Sequence, residues 1–312
     1  MHELTIYQEP YPLELVQESG ERFIVEMPAA TEQDATFLAM WLHGKAEPTQ
    51  RAYVADIGKL YAHSGKSLRT LTLEDFQHFI DRLAPLKPAT RARAIACVKS
   101  ALSFGVKTGY LTFNVGAVVK LPKLENTLAE RIMSEQLLAK MFALEDNPRN
   151  HAILVLLYRA GLRAAELCNL TWSKLQQRDE GGQVAVFGKG KKTRFVLIDQ
   201  ATWDEVMNLH SSFDTSESYV FQSRQARSRT DKDGKRMDES MIHRIVHTAA
   251  LRAGITANVS PHWMRHAHAT HSLERGAPIT LVQDTLGHSS IETTAKYTHV
   301  RPNASSGQYL KV

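Results

Sequence analysis

The chain has 312 residues, 43% hydrophobic and 23% charged, enough to bury the cores of two domains. No apolar run approaches the roughly 18 residues of a membrane span, and MHELTIYQEP is no basic-then-apolar leader, so a cytoplasmic protein without a membrane partner is expected. Cys97 and Cys168 make neither a disulfide framework nor a zinc pattern, and the net charge of +5 divides into −5 over residues 1–30, leaving +10 for the rest, a balance that favours a polyanionic partner such as DNA or RNA.

Residues 1–30 hold six glutamates, one arginine and three prolines without a sustained period. They read as a loosely ordered acidic arm with room for a short strand at Arg22–Glu26. From Thr31 the pattern becomes helical. Thr31 caps a first helix whose Phe37, Leu38, Trp41 and Leu42 share a face. Pro48 opens a second, with Tyr53, Ile57, Leu60 and Tyr61 inward. TLEDFQHFIDRL is a third, with Phe76, Phe79, Ile80 and Leu83 inward, and a fourth starts at PATRARAIACV and is closed by Gly109. The fourth carries Arg91, Arg93, Lys99 and Lys107, which suit a solvated face or a phosphate backbone equally well.

Residues 116–130 read as a linker, because Pro122 interrupts any helix. Beyond it, Ser134 caps SEQLLAKMFAL, RNHAILVLLYRAG is a strongly apolar helix ended by Gly161, and LRAAELCNL is a short one. QVAVFGKGKKTRFVLI is two β-prone runs joined by a glycine-rich turn, and YVFQS near 219–223 suggests another short strand. A basic loop follows, with Arg224, Arg227, Arg229, Lys232, Lys235 and Arg236 against Asp231 and Asp233. Helices return at MIHRIVHTAALRAG, HWMRHAHATHSLERG, ITLVQDTLG and SIETTAKYTH, the last opened by a Ser289–Glu292 capping box that puts Tyr297 about two turns along.

Four stretches could carry chemistry. In GLRAAEL, Glu166 can hold Arg163 by an i,i+3 ion pair and aim it at a phosphate. The tip GKGKKTR offers Lys189, Lys191, Lys192 and Arg194; it lacks the Walker pattern, and a strand follows it. In PHWMRHAHATH, His262, Arg265 and His266 share a helix face, but neither H-E-x-x-H nor a further ligand accompanies them, so no metal site is expected. GHSSIETTAKYTHV puts a lone tyrosine, Tyr297, in a polar stretch.

Taken singly each is weak. Their order, in GLRAAEL, GKGKKTRFVLI, SPHWMRHAHATH and LGHSSIETTAKYTH, resembles the tyrosine site-specific recombinases, the phage integrase family, in an Xer-like version. The likeness is dense from about residue 132 to 300 and looser over 31–115. It implies a mainly α fold with a small β-sheet: an α-helical core-binding domain at 31–115, a linker at 116–130, and a mixed α/β catalytic domain at 131–312, preceded by the arm at 1–30.

The resemblance also implies roles. Tyr297 aligns with the nucleophile, Arg163 and Arg265 with the arginines that clamp the scissile phosphate, and Lys189 with the hairpin lysine. His262 aligns with the histidine of His-x-x-Arg, which would assist Tyr297 in losing its proton, His288 with the Gly-His histidine, and Glu166 with the acidic support of the first arginine. Arg91, Arg93, Lys99, Lys191, Lys192, Arg194, Arg224, Arg227 and Arg229 are then expected to bind DNA. The implied reaction needs no metal or other cofactor. The implied partners are double-stranded DNA and further copies of the chain, four in a synapse, or a paralogous recombinase. Tyr309 and Leu310 in the tail could dock on a neighbouring copy. Type IB topoisomerase and catalytically silent DNA-binding regulator are the competing readings.

Overall fold

The computed structural model describes residues 30–122, 132–187, 193–223, 236–288 and 290–297, and the backbone alone of 11–16 and 22–27. The chain divides into two compact units, Met1–Glu125 and Asn126–Val312. The described part is mainly α-helical, with a two-stranded ribbon in the first unit and a three-stranded antiparallel sheet in the second. No helix among the described residues is long and apolar enough to cross a membrane.

In the first unit, β1 (Tyr11–Val16) pairs antiparallel with β2 (Arg22–Met27), with Leu13 opposite Val25 and Leu15 opposite Phe23. The strand expected near Arg22 is therefore present, but its partner was not foreseen. Apolar residues alternate at 11, 13 and 15 and at 23, 25 and 27, a period of two that the glutamates obscure.

Helices α1 (Glu32–Leu42), α2 (Glu47–Ser64), α3 (Leu73–Arg82) and α4 (Pro88–Lys107) follow. Thr31 and Thr72 form capping boxes with Asp34 and Asp75, each worth about 1 kcal/mol to its helix. Phe37, Leu38, Trp41, Leu42, Ile57, Leu60, Tyr61, Phe76, Phe79 and Leu83 are buried together, while Tyr53 and Ile80 are half-buried at the margin.

The cations of α4 differ in how they are engaged. Arg91 is half-buried and Lys107 exposed. The Lys99 ammonium donates to the Gly116 and Val119 carbonyls, pinning the chain after α4 to that helix. Arg93 lies 2.9 Å from Asp56, a carboxylate with no exposure at all. Burial pushes the Asp56 carboxyl up, against the pull of Arg93 and Lys59.

Arg93→Ala should therefore destabilise the chain by about 2 kcal/mol at pH 7. This is less than a fully buried pair would cost, because water screens an arginine that is 42% exposed. Removing Arg93 also raises Asp56 further. A folded-state pKa above the unfolded one gives stability that is complete below the unfolded value and lost as pH rises through the folded one. The deficit should shrink as urea unfolding is repeated from pH 7 towards pH 4. A constant deficit would show that Asp56 does not titrate with folding.

The second unit is built around α6 (Pro148–Arg159), whose Ala152 to Leu157 are all buried. Around it pack α5 (Glu135–Ala143), α8 (Gln200–Met207), α9 (Glu239–Arg252) and α10 (Pro261–Glu274). A short α7 (Ala164–Cys168) leads through one 3-10 turn to the sheet, ordered β3 (Leu175–Arg178), β4 (Gly181–Phe187), β5 (Thr193–Ile198). Then α11 (Ile279–Leu286) and α12 (Ile291–Ala295) close the described chain.

Three local readings change. Residues 219–223 form only isolated bridges, Thr171 with Tyr219 and Gln222 with Arg236, so no strand runs there. Strand β3 and helix α8 were not anticipated; β3 is polar except for Leu175, and its pairing with β4 carries it. The last helix is capped by Ser290, whose hydroxyl accepts from the Glu292 amide. It stops at Ala295, so Tyr297 lies just beyond it.

Candidate active site

Three chain turns converge on the site. The first is the end of α6, where Gly161 has φ 59° and a Cβ there would meet Leu286 at 2.7 Å. Only glycine accepts both the left-handed backbone and the close approach of α11. The next turn sets Arg163 as the N-cap of α7. Its amide donates to Glu166 Oε2 at 2.8 Å and its guanidinium to Oε1 at 2.7 Å, so one carboxylate fixes both the backbone and the side chain.

Glu166 holds a second cation. Arg194, on β5, gives it two parallel bonds of 2.8 Å each and donates its Nε–H to the Thr285 carbonyl at 2.8 Å. Burial pushes the Glu166 carboxyl up, but the bonds from Arg194 and Arg163 outweigh it and hold the group below the usual carboxylate range. Arg194 therefore does not face outward as a DNA-contacting cation. It is a half-buried strut, its side chain 12% exposed, tying the sheet to α7 and α11. Sequence spacing did not reveal this pairing because the partners stand 28 residues apart.

The second turn is α10. Arg265, only 4% exposed, donates to the carbonyls of Gly161 and Leu286. It thereby ties together the ends of α6 and α11. Burial, and then the like charge of Arg163, weaken its hold on its proton. His262 lies on the exposed rim of the same helix, and desolvation with Arg265 nearby keeps it below its ordinary pKa.

The third turn is Gly287–His288. His288 Nδ1 pairs with the Thr294 hydroxyl at 2.9 Å, and Thr294 is fully buried. Burial, then the charges of Arg265, Arg163 and Arg194, bring His288 down to about 4, so it is neutral at pH 7. Arg163 also reaches the Gly287 carbonyl at 3.3 Å.

Tyr297 closes the group. It is 7% exposed and packs with Ala269, Val282 and Leu286. Its hydroxyl lies 2.7 Å from His266 Nδ1. The polar flanks of Tyr297 do not make it an exposed residue; the turn after α12 folds the ring inward while Glu292, Thr293 and Lys296 stay at the surface. Burial raises its pKa and Arg265 opposes the rise.

Arg163, Arg265, Glu166, His262, His288 and Tyr297 thus share one site. Lys189, Lys191, Lys192, Arg224, Arg227, Arg229 and the tail with Tyr309 and Leu310 lie outside the described residues. Sequence reasoning gave Arg194 to DNA, not to Glu166, and assigned no role to Thr294 or His266. The signal for His266 was its i,i+4 spacing from His262, which was weighed only as a metal pair. Among the described residues no group of three or more His, Cys, Asp or Glu is arranged to hold a metal ion.

Comparison with known proteins gives a consistent result. The phage integrase family matches residues 130–304. A tyrosine recombinase XerC of Mycobacterium bovis (strain BCG / Pasteur 1173P2) is 32% identical over 292 residues, covering 88% of this chain and 95% of that protein. Among solved structures, XerH site-specific recombinase bound to difH substrate in a pre-cleavage complex aligns with TM-score 0.63 at 16% identity, covering 89% of this chain and 87% of that one. A lambda integrase dimer bound to a COC' core site aligns with TM-score 0.68 at 15% identity, over 88% and 77%. At such identities the two structures establish the fold: mainly helical, with a small antiparallel sheet.

Proposed function

This chain belongs to the phage integrase family of tyrosine recombinases, acting in site-specific DNA recombination, and from that membership we propose that it cuts and rejoins DNA strands through a 3′-phosphotyrosyl bond to Tyr297. The observation that carries the proposal is the meeting of a buried tyrosine hydroxyl with two arginines and a neutral histidine in one site.

The chemistry needs charge stabilisation on the non-bridging oxygens and a proton for the departing 5′ oxygen. Arg163 and Arg265 supply the first. Both are anchored through only part of the guanidinium, to Glu166 and to backbone carbonyls, leaving other N–H groups for phosphate. Neutral His288, its Nδ1 occupied by Thr294, presents Nε2 as a donor to the same oxygens. His262 at the rim adds charge when protonated. Lys189 protonates the leaving oxygen. The covalent bond conserves the phosphodiester energy, so a 5′-hydroxyl from another strand can reverse the step without ATP or metal.

Double-stranded DNA is the partner, with Arg91 and the basic loop around Arg224, Arg227 and Arg229 on its backbone. The solved relatives bound to their sites support this, and the dimer among them supports assembly on DNA. A synapse of four copies, or one shared with a paralogue, is the working assembly.

Covalent capture tests the proposal. The protein is incubated with sheared genomic DNA from its source, denatured, and attached DNA is recovered and sequenced. Protein on 3′ ends at one recurrent sequence is the expected result. Reversible binding without an adduct, on intact and on nicked DNA alike, would overturn it in favour of a silent binder.

A further inference from the structure

His266 is one turn from His262 on α10, and its Nδ1 lies 2.7 Å from Tyr297 Oη, with ring centroids 5.5 Å apart. The other candidates for accepting a phenol proton are placed differently. His288 lies parallel to the tyrosine ring at 6.4 Å and engages Thr294 through Nδ1. His262 is a further step out, its ring 6.4 Å from that of His266. Among the described residues no hydrogen bond joins His262 to Tyr297. Arg265, the neighbour of His266 on α10, has no basic lone pair.

We propose that His266 is the general base for Tyr297: it takes the phenol proton on Nδ1 as the hydroxyl attacks, and returns it when the strand is rejoined. This rests on the reading of Tyr297 as the nucleophile. The step starts from the neutral imidazole with its proton on Nε2, the tautomer in which the phenol O–H donates to Nδ1. On attack the Oη–P bond forms and the P–O5′ bond breaks. The Oη proton moves to Nδ1, giving an imidazolium, and the 5′ oxygen takes a proton from the general acid, assigned to Lys189. On rejoining, the incoming 5′-hydroxyl gives its proton to the neutral lysine, the Oη–P bond breaks, and the imidazolium reprotonates Oη. The protons balance, and no third group is required.

The geometry also assigns a division of labour on α10. Positions 262, 265 and 266 put a rim histidine, a phosphate-clamping arginine and the base on adjoining faces of one helix. Because Arg265 is pinned to two carbonyls, the helix that carries the base is locked in register with the phosphate site.

The test is single-turnover cleavage by the full chain, on nicked duplexes carrying the sequence recovered by covalent capture. His266→Ala, His266→Asn and His262→Ala are each made with tyrosine, and with the more acidic 3,5-difluorotyrosine, at position 297. Asn keeps a hydrogen-bonding atom near the place of Nδ1 without its basicity, and DNA binding reports folding.

His266→Ala and His266→Asn are expected to slow cleavage by about 100-fold or more, the size of a lost general base. Difluorotyrosine should recover at least about tenfold of this in both, and nothing comparable in His262→Ala. Rescue by Asn alone, or a deficit untouched by difluorotyrosine, would reduce His266 to a packing role and overturn the proposal. Cleavage within about threefold of wild type in both variants would do the same. If the wild type itself forms no adduct, the nucleophile fails and this inference with it; a wild-type adduct with unaffected His266 variants removes the inference alone.

Discussion

Tyr297→Phe is expected to bind DNA as the wild type does and to leave no protein on the denatured strands. The change removes one oxygen. The ring keeps its packing against Ala269, Val282 and Leu286, so the fold should lose only about 1 kcal/mol for the hydrogen bond to His266. The loss of cleavage should be complete within detection, because no other described group occupies the place of Oη.

Tyr158 provides the control. Its hydroxyl lies 3.0 Å from His271 Nδ1, so two histidines of α10 each have Nδ1 within hydrogen-bond distance of a tyrosine hydroxyl. They differ in surrounding charge. Burial raises both phenols; at Tyr158 Glu135 and Glu274 add to the rise against Arg275 and Arg159, while at Tyr297 Arg265 opposes it and no carboxylate adds to it. A cation beside the oxygen favours the developing phenolate, and a carboxylate disfavours it. Tyr158→Phe should therefore leave the adduct intact. An adduct that survives Tyr297→Phe and disappears with Tyr158→Phe would move the nucleophile.

Much of this arrangement was legible in the sequence, for reasons that also mark its limits. The helices of the first unit announce themselves because each buries one stripe, as Phe37, Leu38, Trp41 and Leu42 do, and periodicity is a local property. Likewise Glu166 stands three residues from Arg163, within the reach of one helical turn. What failed was non-local or one-sided. Arg194 looked like one more cation at a basic hairpin, and only the meeting of β5 with α7 makes it a strut. Tyr297 stands in a polar stretch, and its neighbours do not announce that the turn past α12 buries it. The last helix is capped one residue later than the Ser289 expected, by Ser290, a shift of the size that helix ends commonly show.

Glu166→Gln should be the most damaging substitution that touches no reacting atom. The carboxylate is 8% exposed and receives bonds from the Arg163 amide, the Arg163 guanidinium and both terminal nitrogens of Arg194. An amide can accept some of these bonds but cannot neutralise two arginines, one of which is itself 12% exposed. Breaking a buried pair from one side typically costs about 3 kcal/mol, and that loss is expected in denaturant unfolding at pH 7.

The pH dependence gives this a sign. Because Glu166 is held below the usual carboxylate range in the folded state, its stabilisation is complete above the unfolded value, about 4.3, and is lost as pH falls through the lower folded value. The gap between wild type and Glu166→Gln should therefore be full at pH 7 and 6, and should close below about pH 4. Cleavage should fall by about 100-fold at pH 7 even where the protein is fully folded, since Arg163 would lose the contact that aims it. Arg194→Ala separates the two roles: it leaves Arg163 bound to Glu166, so it should reproduce most of the stability loss and less of the cleavage defect. Equal cleavage defects in the two variants would mean that Arg194, and not the aim of Arg163, governs the site.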